Sequence, residues 1–166
     1  NINKNKDLKL LYVYEKIDLL CRKAVKLYKC KIEKNYNKIF QDKSVDIIFI
    51  SSPTNTHIKF IEQGMDYKKT IFCEKPIDLD IKKVLTTFKK VKKIKPKIQL
   101  GFNRRYDPGH FSLKKDLKKN KIGNLEKIII TSRDPASPPI TYLKSSGGLF
   151  KDMMIHDFDL CRLYLG

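Results

Sequence analysis

"TIFCEKPIDLDIKKVLTTF", residues 70–88, reads as one strand, one polar corner and one helix, and it sets the reading of the rest of the chain. An apolar run ends in Glu74, Lys75 and Pro76; proline lacks the N–H that a sheet ladder needs, so the strand stops there. Beyond it, Asp78 and Asp80 open a segment with apolar residues at helical intervals, where carboxylates complement the helix dipole. A strand passing directly into a helix is the repeating unit of a parallel sheet covered by helices. Ligands of such sheets bind beyond the carboxyl ends of the strands. Glu74 and Lys75 at one such end are therefore candidates for chemistry, unlike most charged residues of the chain. Pro76 fixes the local backbone, with a cis or a trans bond both open at this level.

Working outward, "VDIIFI" (45–50) has the Val and Ile content of a central strand. It runs into "SSPTNTH" (51–57), a turn in which Pro53 resists further strand and Thr54 or Asn55 is placed to cap a helix through Ile58, Phe60 and Ile61. Upstream, "LKLLYVY" (8–14) suits a strand, "IDLLCRKAVKLY" (17–28) a helix with Asp18 in its first turn, and a short strand near Cys30 precedes a short helix across "NYNKIFQD" (35–42). Downstream, "KIQLGFN" (97–103) is a further strand and "FSLKKDLKK" (111–119) a helix.

After this the pattern shifts. "LEKIIITSRD" (125–134) is a β-branched run that continues into the turn-rich "PASPPITYLKSSGGLF" (135–150). "FKDMMIHDFDLCRLYLG" (150–166) has helical periodicity with Met153, Phe158, Cys161 and Leu165 at inward positions. A domain boundary is placed near 103–108, giving a nucleotide-binding type of sheet over 1–105 and the start of a second α/β domain over 106–166.

Composition excludes some classes. The chain of 166 residues is 41% hydrophobic and 33% charged, which suits a globular protein, and no apolar run reaches the ~18 residues of a membrane span. "NINKNKDLKL" at the start lacks the apolar core of a secretory signal, so a cytoplasmic setting is expected. Cys21, Cys30, Cys73 and Cys161 form no CxxC pair and read as reduced thiols, and no metal site is expected. The net charge of +18 raises a nucleic-acid reading, but the excess is lysine spread along the chain, with little of the arginine that grips phosphate and guanine. A solvated lysine-rich surface is the simpler account, and neither specific nucleic-acid binding nor a membrane partner is expected.

Asp152 and His156 are four apart in the last helical segment, which places both on one face about a turn from each other. A carboxylate beside an imidazole orients the ring and favours its protonated form, which suits a base working near neutrality. The same spacing also fits an ordinary surface pair. Gly147 and Gly148 just upstream permit close backbone approach to a ligand. Ser52 and Thr54 end one strand as Glu74 and Lys75 end another, so two strand ends carry polar groups into one crevice.

"CEKPIDLD", "SSPTNTH", "GFNRRYDP", "SRDPASPP" and "SGGLFKDMMIHDFD" together resemble the glucose-fructose oxidoreductase and inositol dehydrogenase family, within it the inositol 2-dehydrogenases, from about residue 8 to the end. The resemblance implies an α/β fold in which an incomplete Rossmann-type parallel sheet is followed by the beginning of an open-sheet second domain. It also implies NAD as cofactor and a cyclic polyol or sugar as substrate. On that resemblance His156 takes the hydroxyl proton, Asp152 orients and steadies the imidazole, and Lys75 donates to the reacting oxygen. Glu74 becomes the acid near the nicotinamide ribose, Ser52, Thr54, Asn55 and His57 the turn against the dinucleotide, and Asn103 and Arg105 the junction of cofactor and substrate. His57 is equally readable as a structural histidine, and Arg104 as solvated. Glu15 stands where the family has an acid for the adenosine ribose, unless a register slip puts Tyr14 there. Such an acid repels a 2′-phosphate and favours NAD over NADP.

The family's first strand and glycine-rich phosphate turn have no counterpart in this sequence, and Asn1 enters just ahead of the second strand. The chain is therefore expected to be the middle of an enzyme, poorly stable alone, whose intact parent oxidises a polyol and forms a homo-oligomer. The competing expectation is a non-catalytic remnant that binds polyanions through its lysines.

Overall fold

The computed structural model describes residues 2–166 without the side chains of Asn3, Lys144 and Ser145; Asn1 lies outside the described residues. In chain order it contains β1 (Tyr12–Val13), α1 (Asp18–Tyr28), β2 (Lys31–Ile32), α2 (Tyr36–Gln41), β3 (Ile47–Ile50), α3 (His57–Asp66), β4 (Thr70–Cys73), α4 (Ile81–Ile94) and β5 (Ile98–Leu100). A 3-10 turn (Asn103–Tyr106) then leads to α5 (Pro108–Lys118), α6 (Ile140–Ser146), α7 (Gly148–Asp152) and α8 (Met154–Leu165).

Among the described residues all the pairing is parallel. β1 lies beside β2, with Tyr12 opposite Lys31. β3, β4 and β5 form a second sheet in that order, with Ile50, Cys73 and Leu100 level across it. The three strands thus end at one rim, and whatever follows each of them is delivered there. Helix α3 covers this sheet closely: a Cβ on Gly64 would sit 2.8 Å from the Ile71 side chain, so only glycine lets the helix approach so near. Phe40, Val45, Ile48, Ile50, Ile61, Met65, Ile71 and Cys73 form the buried core, and Leu11 and Tyr12 tie β1 to it.

Several expectations need correction. Among the described residues β4, not β3, is the middle strand; β3 buries Ile48 and Ile50 but leaves Ile47 and Phe49 exposed, as a strand with one covered face does. Thr54 and Asn55 do not cap α3. They lie in a 3-10 turn, and α3 starts at His57 with no side-chain cap, Thr56 turning its hydroxyl to the Pro53 carbonyl. The acidic start of α4 is narrower than expected: Asp80 caps it through the Lys82 N–H, and Asp78 accepts from the Asp80 N–H. Over 125–134, read only as a β-branched run, no strand forms, because β-propensity without a neighbouring backbone yields no ladder.

The largest difference is in the last segment. Gly147 and Gly148, at φ +86° and +80°, reverse the chain between α6 and α7, and Met153 breaks α7 from α8. The break shifts the helical phase. Leu160 and Asp159 face inward, whereas Phe158 and Leu165 are 49% and 67% exposed. All four cysteines are free thiols, and burial pushes Cys73 up to about 12. Among the described residues no helix is long and apolar enough to cross a membrane.

Candidate active site

Lys75 leaves the end of β4 next to a cis bond to Pro76, and its ammonium is held twice by Asp152. It donates to the Asp152 carbonyl at 2.7 Å and to Oδ1 at 2.8 Å, and both side chains are largely shielded from solvent. Asp152 reaches this place because α6 and α7 dock on the connection between β4 and α4. A Cβ on Gly147 would meet Leu79 Cδ2 at 2.5 Å, and Lys151 donates to the Leu79 carbonyl at 2.7 Å. The second carboxylate oxygen, Oδ2, accepts from the Tyr142 hydroxyl at 2.8 Å. Burial works to raise the Asp152 carboxyl, but the hydrogen bonds from Lys75 and Tyr142 and the charges of Lys75 and His156 outweigh it and leave it below the usual aspartate range.

His156 lies in the first turn of α8, half-buried, with its ring edge-to-face against Phe102 at 6.4 Å between centroids. Its Nδ1 is buried and has no hydrogen-bond partner among the described residues. Burial first, and then the nearby charges of Lys75 and Arg104, push the imidazole below the usual histidine range against the opposing pull of Asp157 and Asp159. A neutral ring at neutral pH can accept a proton. The expected arrangement of Asp152 and His156 on one helical face is not found. They belong to different helices, and both carboxylate oxygens are taken by Lys75 and Tyr142.

The other expected residues divide into two groups. Glu74 stands beside Lys75 at the rim and its carboxylate takes no hydrogen bond from the described residues; a Cβ on Gly101 would lie 2.7 Å from its Oε2, so glycine there makes room for the acid. Ser52, Thr54 and Asn55 follow β3 at the same rim, and Asn103 follows β5 there, exposed. His57 is buried, its ring nitrogens against the carbonyls of Pro76 at 2.8 Å and Ser52 at 2.7 Å, so it ties the turn after β3 to the corner after β4.

Arg105 and Glu15 are engaged elsewhere. Arg105 forks onto Asp159 through two nitrogens at 2.6 and 2.5 Å, which occupies the guanidinium that the sequence reading assigned to ligand. Its neighbour Arg104, read as solvated, pairs with Asp157 and Ser132, and its charge acts on His156. Glu15 accepts from the Lys16 and Ile17 N–H groups just after β1, and Tyr14 packs on Tyr36. Tyr142, Phe102 and Arg104 were missed as site residues. No sequence signal places them, since each acquires its neighbour through a contact of the folded chain. Of two surface cavities, of about 600 and 340 Å³, the first is lined in part by Asn55 and neither by Lys75, Asp152 or His156.

The sequence model of the oxidoreductase family with an NAD-binding Rossmann fold matches residues 1–102. Inositol 2-dehydrogenase of Rhizobium meliloti (strain 1021) is 40% identical over 165 residues, 99% of this chain and 50% of the relative. The crystal structure of a myo-inositol dehydrogenase from Corynebacterium glutamicum ATCC 13032 superposes with a TM-score of 0.92 at 36% identity, over 98% of this chain and 49% of that one. The crystal structure of scyllo-inositol dehydrogenase from Lactobacillus casei with bound NAD(H) and scyllo-inositol gives 0.84 at 31% identity, over 98% and 50%. The chain thus spans about half the length of the relatives it matches.

Proposed function

The chain belongs to the oxidoreductase family with an NAD-binding Rossmann fold, and from that premise we propose that the protein carrying it is an NAD-dependent dehydrogenase of a cyclic polyol, myo-inositol being the first candidate. The observation that carries the reading is the meeting of Lys75 and Asp152 at 2.8 Å, 77 positions apart in sequence, with His156 near enough for its basicity to feel the lysine charge. The relatives named inositol dehydrogenases supply the substrate class.

NAD supplies the hydride acceptor when bound. The rim fits the nicotinamide and ribose end of a dinucleotide: Ser52, Thr54, Asn55 and Asn103 offer hydroxyls and amides, and Glu74 offers a carboxylate that takes no hydrogen bond from the described residues. Residues 1–105 then act as the dinucleotide-binding part and residues 106–166 as the start of the substrate-binding part. As the substrate alcohol becomes a ketone, its carbinol carbon loses hydride and its hydroxyl loses a proton. His156 takes that proton at Nε2, Nδ1 being buried. Lys75 donates to the oxygen as charge develops there, which favours the transition state over the bound alcohol. Asp152 holds Lys75 in place, a different task from orienting the imidazole.

The test is NADH formation by the intact protein with myo-inositol, scyllo-inositol and glucose. Oxidation of an inositol that Lys75→Ala reduces at least about a thousandfold supports the reading. No turnover of any cyclitol or sugar with NAD⁺ or NADP⁺ would leave the polyanion-binding alternative, which draws on the net charge of +18.

A further inference from the structure

We infer that Tyr142 is a positioning residue of this site, fixing the Asp152 carboxylate so that it grips Lys75 and leaves His156 free. The inference rests on the dehydrogenase reading for its kinetic consequence, while its geometry stands on its own. Tyr142 lies in α6, ten positions before Asp152, on the other side of the Gly147 reversal. That reversal packs closely on Leu79, with no room for a side chain at Gly147, and turns α6 back beside α7.

Each carboxylate oxygen has its own donor: Oδ1 accepts from Lys75 and Oδ2 from Tyr142, both at 2.8 Å. With two donors on opposite oxygens the carboxylate plane has one favoured orientation, and turning it toward another partner loses one of the bonds. Two consequences follow. The ammonium of Lys75, already on the Asp152 carbonyl, is held at a fixed point of the rim. The oxygen that could otherwise swing toward His156 is occupied, in keeping with an Nδ1 that has no partner among the described residues. The contact also acts on charge from both ends. The phenol hydrogen bond helps to hold the Asp152 carboxyl low, and the carboxylate raises the phenol above its ordinary value. About half of the Tyr142 side chain faces solvent, so removing its hydroxyl while keeping the ring leaves the packing in place.

The experiment has a kinetic arm and a titration arm, both on the intact protein. Tyr142→Phe is expected to lower kcat for the polyol about tenfold, the loss of one charge-assisted hydrogen bond, with the KM for NAD⁺ unchanged because the hydroxyl acts on the lysine pair. In an Asp152→Asn background the same change should cost less than about twofold, since the carboxylate through which it acts is gone. Asp152→Asn should in turn bring the Tyr142 phenol titration, followed by NMR, down toward an ordinary tyrosine, a shift that a packing role would not produce. An unchanged kcat, losses that multiply in the double variant, or an unmoved phenol titration would each overturn the inference. A wild-type protein without polyol-dependent NADH formation would sink the dehydrogenase reading alone, and the phenol titration would then decide on Tyr142 by itself.

Discussion

The two partners of the candidate site are held by different physics. Lys75 projects from β4, whose sheet and covering helices bury eight apolar residues in one cluster. Asp152 and His156 project from a segment in which Leu160 is the one deeply buried apolar residue among those described. That segment is tied down mainly by polar contacts: Arg104 to Asp157, Arg105 to Asp159, Lys151 to the Leu79 carbonyl and His110 to the Tyr164 hydroxyl. Apolar burial gives a stiff, salt-independent platform, whereas ion pairs depend on geometry and are screened by salt. One wall of the site therefore resists perturbation and the other responds to it.

The largest effect should come from the stiff wall. Ile71, 1% exposed at the centre of the middle strand, packs under Gly64, and Ile71→Ala should cost about 4 kcal/mol of global stability in chemical denaturation of the intact protein. A loss below about 1 kcal/mol would mean that the sheet is not what holds this half together.

Arg105→Ala tests the other wall and sharpens the contrast. It strands the Asp159 carboxylate, 8% exposed, without its forked partner. The expected cost is about 2 kcal/mol, less than for a fully buried pair because Arg105 itself is partly solvated. The loss should be local: amide protection in hydrogen exchange should fall across α8 and persist in β3 and β4. Equal loss in both would show that the two walls unfold as one unit.

The strand and helix alternation up to residue 106 was legible because local pattern decides it. "VDIIFI", "TIFCEK" and "KIQLGFN" each lead to a parallel strand, and Lys75 could be placed at a strand end from Pro76 alone. The choice of middle strand was not legible, because the composition of β3 reports one packed face and not its neighbours. Past residue 106 the signals turned non-local. The inward phase of α8 is set by Arg105 reaching Asp159 across 54 positions, and the break at Met153 separates two residues whose spacing suggested one helix. Tyr142 is hidden for the same reason: a tyrosine in a turn-rich stretch gives no sign that a double-glycine reversal will aim its hydroxyl at Asp152.

The smallest effect expected is also the most specific to the polar wall. Arg104 is one of the charges that hold the His156 imidazole below its ordinary value, after burial and Lys75. With His156 as the proposed base, which must be neutral to accept a proton, a lowered value predicts activity that persists as the pH falls below about 6.5, the usual histidine midpoint. Arg104→Gln removes one positive charge and releases Asp157, whose pull on His156 is upward, so both changes act in the same direction. The acidic limb of kcat/KM for polyol oxidation should therefore move to higher pH, while rates above pH ~8, where the ring is neutral in either protein, change little. Linkage gives the same sign for stability. In the window between the folded value and about 6.5 the unfolded chain binds more protons, so wild-type stability falls on acidification, and the variant should lose less there. An acidic limb that moves down or stays fixed would place Arg104 outside the electrostatic reach of the base, leaving the polar wall a mechanical support only.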